Sequence, residues 1–266
     1  MPKIRAGAIE ISYETYGDGE PLLLIMGLGL PGAAWLGSLP FLTQFRCIYF
    51  DNRGTGNSDK PEGPYTIPQL ADDARNLLDS LGIQKAKVYG FSMGGMIAQE
   101  LTLRHPAQVQ KLVLGCTTPG GPLAPRAADE VTQKLMEGLS LQTVDQDAAA
   151  DVIVRLSVPA DFKMDEALKA GFAAMLKMVP PPEPQIIEKT LAGVLEFNAY
   201  HRLSEIRCPV MIVHGDKDIL IPSENAALIK SKIPDAELFI VPNAGHYYEA
   251  ADPAGINQRI ATWLKS

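Results

Sequence analysis

Ser92 stands in the run Gly90-Phe91-Ser92-Met93-Gly94-Gly95, between the apolar pair Val88-Tyr89 and the helix-like stretch Met96–His105. A Gly-x-Ser-x-Gly between a strand and a helix makes a turn so tight that small residues must flank the serine, leaving its hydroxyl at the apex. A serine hydroxyl is a poor nucleophile until a base removes its proton, and the usual base is a histidine oriented by a carboxylate. After an elbow of this kind the acid and then the histidine follow in chain order.

Four histidines are available. His105 ends a helix beside a proline, His201 lies at the foot of a helical block, and His214 ends an apolar strand, all places that suit capping or packing. His246 follows the strand Glu237–Val241 in the loop Asn243-Ala244-Gly245-His246-Tyr247-Tyr248. The glycine before it frees the ring to swing over a sheet edge, and it is the expected base. Two aspartates compete to orient it, Asp216 and Asp218, both in the loop after Val210–Val213; spacing does not separate them, and either suits a turn. The negative charge of a tetrahedral intermediate needs backbone N–H donors. Met93, directly after the serine, supplies one, and Leu28 in the loop Met26-Gly27-Leu28-Gly29 supplies the other.

These residues must be held by strands and helices. Ile4–Tyr16 reads as an antiparallel opening that ends at Gly17-Asp18-Gly19. Short apolar runs at Leu22–Met26 and Cys47–Phe50 read as strands buried on both faces, Val109–Leu114 as another buried strand, and Lys87–Tyr89, Pro209–Val213 and Glu237–Val241 as further strands. Helical spacing at Thr66–Leu81, Met96–Leu103, Ser223–Lys232 and Asp252–Leu264 alternates with them. That rhythm implies an α/β fold with a mostly parallel, doubly wound sheet. It breaks between Pro119 and Ser204, where four helical stretches follow one another: Arg126–Leu139, Val144–Leu156, Asp165–Met178 and Gln185–Phe197. The expected organisation is a core of residues 1–118 and 205–266 with residues 119–204 inserted as a helical cap over the C-terminal edge of the sheet.

The totals narrow the function. A net charge of −7 without like-charge blocks argues against nucleic acid as a partner. Three scattered cysteines, Cys47, Cys116 and Cys208, suggest reduced thiols in a cytoplasmic protein. The uncharged stretch Leu22–Leu42 is long enough to span a bilayer, but its glycines and prolines suit a strand and a loop, and no membrane role is expected.

Two longer stretches carry a resemblance. Phe50-Asp51-Asn52-Arg53-Gly54-Thr55-Gly56-Asn57-Ser58, followed by Gly63-Pro64-Tyr65-Thr66-Ile67, resembles the carboxylesterase and 3-oxoadipate enol-lactonase branch of the α/β-hydrolase fold. Ser92-Met93-Gly94-Gly95-Met96-Ile97-Ala98-Gln99 does too, and the likeness extends over nearly the whole chain. It implies a serine hydrolase with a helical cap. It maps the catalytic acid to Asp218 and the base to His246, and gives Asp51 and Arg53 the task of holding their loop. One departure is Met26-Gly27, where the family commonly has His-Gly.

The expected activity is carboxylic ester hydrolysis on small or medium uncharged esters, with a lactonase second and a carbon–carbon bond hydrolase as a further alternative. A ligand-binding receptor that retains the triad is the non-enzymatic alternative. Dehalogenases and epoxide hydrolases of this fold carry an aspartate at the elbow, which Ser92 argues against. No metal or cofactor is called for, and a monomer or homodimer is expected. Trp35, Met93, Met136, Phe162, Phe172, Met175, Met178 and Tyr247 are candidates to line an apolar pocket. Arg126, Arg155 and Arg202 are the cations available to an acidic substrate.

Overall fold

A computed structural model describes residues 2–266. Its centre is an eight-stranded sheet in the order β1-β2-β4-β3-β5-β6-β7-β8, built from β1 (Lys3–Ala6), β2 (Ile9–Tyr16), β3 (Glu20–Ile25), β4 (Phe45–Phe50), β5 (Ala86–Phe91), β6 (Val109–Gly115), β7 (Val210–Gly215) and β8 (Glu237–Val241). β1 and β2 pair antiparallel, and every pairing from β4 through β8 is parallel. Parallel strands need crossovers that cover both faces, which is why the inner strands are continuous apolar runs. Leu22 and Leu24 join the cluster on one face, while Leu23 and Ile25 join the cluster on the other.

The helices of the core are α1 (Ile67–Ser80), α2 (Met93–Arg104), α7 (Glu224–Lys232) and α8 (Pro253–Lys265). Thr66 caps α1, its hydroxyl accepting from the Gln69 N–H, and Gly82 (φ +70°) turns the chain out at the other end. α2 begins three residues earlier than the apolar spacing suggests, because the elbow passes from strand to helix with no linker. Buried between the sheet and its neighbours, α2 is sheltered on nearly every side.

Between β6 and β7 lie α3 (Asp129–Leu141), α4 (Gln146–Ser157), α5 (Glu166–Leu176) and α6 (Pro184–Glu196). The expected start of the first at Arg126 moves to Asp129. Asp145 and Asp165 cap α4 and α5 with their carboxylates. Two small apolar clusters join this segment internally and to Ala33, after β3. Among the described residues no helix is long and apolar enough to cross a membrane.

Candidate active site

β5 enters α2 through Ser92, whose backbone (φ 58°, ψ −123°) lies outside the regions L-residues normally occupy. Such a conformation costs on the order of 1–3 kcal/mol and persists only when its surroundings dictate it. Here the Ser92 N–H donates to the Gly115 carbonyl (2.8 Å), and the Ser92 carbonyl accepts from the Gly95 N–H (2.9 Å) and the Thr117 hydroxyl (2.8 Å). The flanking glycines are steric necessities. A Cβ on Gly90 would stand 2.2 Å from the Gly94 carbonyl oxygen, and one on Gly94 would stand 2.0 Å from that of Ile25.

His246 lies in the loop after β8 and Asp218 in the loop after β7. The imidazole Nδ1 is 2.7 Å from Asp218 Oδ2. Both are buried, and the Phe91 ring packs edge-on against the imidazole at 5.1 Å between centroids. The other oxygen of Asp218, Oδ1, accepts from the Leu220 and Ile221 amides, each at 2.9 Å. Burial pushes this carboxyl up, but the charge of His246 and hydrogen bonds from His214 and His246 outweigh it and hold Asp218 well below the usual carboxylate range. Asp216 does something else: its Oδ1 accepts from the Ala244 N–H at 3.2 Å, pinning the start of the histidine loop.

His214 was read from sequence as a packing residue. It is fully buried with Nε2 2.8 Å from the Ile221 carbonyl and 3.2 Å from Asp218 Oδ2, so it also supports the Asp218 carboxylate. The four-residue spacing between His214 and Asp218 was the available signal. Cys116, in a left-handed conformation (φ 42°) at the end of β6, brings its sulfur within 4.8 Å of ligand atoms of Asp218 and His246. The three types suit a metal ion, but Asp218 already accepts hydrogen bonds on both oxygens, and burial pushes the Cys116 thiol well up.

Ser92 and His246 border one cavity, together with Leu28 and Met93. Among the described residues none hydrogen-bonds to the Ser92 hydroxyl, and neither the Leu28 nor the Met93 amide has an acceptor. Contacts of this kind often tighten only when substrate is bound. The Leu28 loop lies against Ser92: a Cβ on Gly27 would be 3.1 Å from Ser92 Cβ. Its support comes from Asn52, whose Nδ2 donates to the Met26 carbonyl at 3.0 Å. Asp51 accepts from the Gly32 amide (2.8 Å) and the Asn57 amide (2.9 Å), tying two loops together. Arg53 forms a buried ion pair with Asp73 and donates to the Pro64 carbonyl at 3.0 Å.

The cavity has a volume of about 840 Å³ and runs between the sheet's C-terminal edge and the four-helix segment. Trp35, Met93, Phe172, Met175, Met178 and Tyr247 line it. Met136 and Phe162 do not. Met136 packs beside the Leu139–Ile153–Ile187 cluster, and Phe162 sits in the turn after α4, its amide donating to the Pro159 carbonyl. Each helix of this segment has apolar neighbours on more than one side, so apolar character alone does not say which residues face the cavity. Arg126 is the one lysine or arginine among the lining residues described; Arg155 pairs with Asp151 and Arg202 with Glu100.

With this geometry in view, the comparisons with known proteins agree. A family model described as the alpha/beta hydrolase fold matches residues 20–248. A putative carbamate hydrolase RutD from Caulobacter sp. (strain K31) is 28% identical over 272 aligned positions, covering 98% of each chain. The structure of a thermophilic esterase from Thermogutta terrifontis is 26% identical with a TM-score of 0.81, covering 99% of this chain and 97% of that one. An enol-lactonase from Burkholderia xenovorans LB400 shares the fold at 21% identity and a TM-score of 0.84, with full coverage of both. The chain belongs to the α/β-hydrolase fold family.

Proposed function

We propose that this hydrolase cleaves carboxylic esters through an acyl-enzyme on Ser92. The observation that carries the reading is the serine at a strained apex, on the wall of a cavity it shares with an imidazole already bonded to a buried carboxylate. Ser92 attacks the ester carbonyl as His246 Nε2 takes its proton, and Asp218 holds the ring and offsets the imidazolium charge. The Leu28 and Met93 amides receive the developing oxyanion. His246 then protonates the leaving alcohol, water attacks the acyl-enzyme with His246 again as base, and the carboxylic acid departs.

Residues 119–204 act as a cap. They supply much of a largely apolar lining, which favours uncharged esters with sizeable apolar groups over small acidic ones. The similarity to a protein named a carbamate hydrolase keeps carbamates as a second reading, because attack on either carbonyl uses the same residues.

A panel of p-nitrophenyl esters of increasing chain length, lactones and carbamates, with Ser92→Ala as control, tests the activity. Ester turnover that disappears in the control is the expected result; turnover of carbamates alone would move the assignment to the second reading. A serine-directed phosphonate should label Ser92, and an adduct on another residue would end the proposal.

A further inference from the structure

Three residues beyond His246 the chain buries a second carboxyl that the proposed chemistry does not use. Glu249 is only 6% exposed and borders the cavity. Its Oε2 accepts from the Ser38 hydroxyl at 2.9 Å, and the Ser38 amide donates to the Trp35 carbonyl at 2.9 Å. The Trp35 indole packs on Tyr89 (4.6 Å) and Phe91 (6.4 Å), and Phe91 packs on His246. Glu249 therefore joins the histidine loop to the segment that follows the Leu28 loop, on the opposite wall of the cavity.

The other oxygen, Oε1, has no partner, and Asn257 stands beside this carboxyl. Asn257 donates its Nδ2 to the Pro253 carbonyl (2.9 Å), which leaves its Oδ1 without a partner as well. An ionised carboxylate oxygen without a partner is costly in the interior, and a proton on Oε1 removes the charge; the polar neighbours Ser38, Asn257 and Tyr89 favour the charged form but are outweighed by burial. The titratable neighbours are Tyr89 on β5, Tyr247 and Tyr248 on the same turn, and Cys116 just after β6. Burial pushes all four up, Tyr247 to about 12, so they stay neutral. Among the described residues no cation offsets a charge on Glu249, and burial pushes this carboxyl up to about 7.

We propose that Glu249 is a positioning residue that works as a neutral carboxylic acid, clamping the His246 loop to the Trp35–Ser38 segment, and that losing its proton buries an uncompensated charge which the turn relieves by shifting toward water. The inference rests on the ester-hydrolase reading for its effect on turnover. The ionisation itself is independent of that reading. A carboxyl whose folded value lies above its ordinary 4.5 keeps a proton that the unfolded chain has released. The stabilisation is therefore complete below about 4.5 and is lost as pH rises to about 7.

The test compares wild type with Glu249→Gln, which keeps an acceptor for Ser38 and a donor for Asn257 at every pH. Between pH 6 and 9, wild-type kcat on a neutral p-nitrophenyl ester should fall roughly tenfold per unit once past neutrality, while Glu249→Gln holds its value. Ser38→Ala removes the clamp's hydrogen bond, so it should lower kcat at every pH, and because that bond favours the charged form the remaining alkaline fall should move to higher pH. Without substrate, wild-type Tm should drop relative to Glu249→Gln between pH 5 and 7.5. An unchanged alkaline fall in Glu249→Gln overturns the positioning role, and a Tm difference that is flat with pH overturns the buried acid. If neither ester turnover nor phosphonate labelling of Ser92 occurs, the hydrolase reading fails and positioning fails with it, while the Tm series still reports on the acid.

Discussion

The sheet and the four-helix segment between β6 and β7 hold the same cavity by different means. Inner strands such as β3, β5 and β7 are buried on both faces, and the turns after β5 and β7 hold Ser92 and Asp218, while His246 follows the edge strand β8 and packs back onto them. Residues 119–204 have two small clusters instead, and they leave Leu123, Val144, Met178 and Leu195 between 55% and 85% exposed. Regions with few buried apolar contacts open at lower free-energy cost than a sheet core. Under the proposed function, chemistry falls to the rigid layer and substrate choice to the looser one.

The largest expected effect attacks the rigid side. Asp218→Asn should lower kcat on an ester by on the order of 10⁴-fold, since the imidazole loses its orienting acceptor, whereas Asp216→Asn should stay within about tenfold of wild type. Steady-state kinetics of both variants measures this, and the reverse ranking would transfer the acid to Asp216. Next comes Gly94→Ala, whose Cβ would meet the Ile25 carbonyl oxygen at 2.0 Å with backbone on both sides. A cost of about 3 kcal/mol or more is expected in denaturant unfolding, and a near-neutral result would mean the elbow is less tightly packed than it looks.

Substitutions in the helical segment should act more mildly and on a different parameter. Phe172→Ala enlarges the lined cavity and should raise KM for bulky apolar esters by about tenfold, with kcat changed little. A loss confined to kcat would argue that this segment takes part in the chemistry. The smallest effect contrasts with Gly94: Gly171, within α5, has open space where a Cβ would go. Gly171→Ala should stabilise by roughly 0.5–1 kcal/mol through helix propensity, seen as a modest rise in Tm; a loss would show that the segment is packed as closely as the sheet.

The elbow, the order of the three candidate residues and the strand–helix rhythm were all legible in the amino-acid order. Each reflects a local steric or periodic demand: glycine at 90 and 94 for lack of room, and apolar runs where strands are covered on both faces. Which aspartate meets the imidazole was not legible, because Asp216 and Asp218 share one loop. The packing of His214, Cys116 and Glu249 around that pair was equally hidden, since β6, β7 and the 246–250 turn are distant along the chain. The sequence by itself determined the fold class and where the strained serine turn must sit, because close contacts between near neighbours constrain residue types directly. The tertiary structure alone decided which polar groups pair in the interior and which residues of the 119–204 segment face the cavity. Those outcomes depend on side chains brought together from separate elements, where residue type limits what can bond or pack but does not choose the partner.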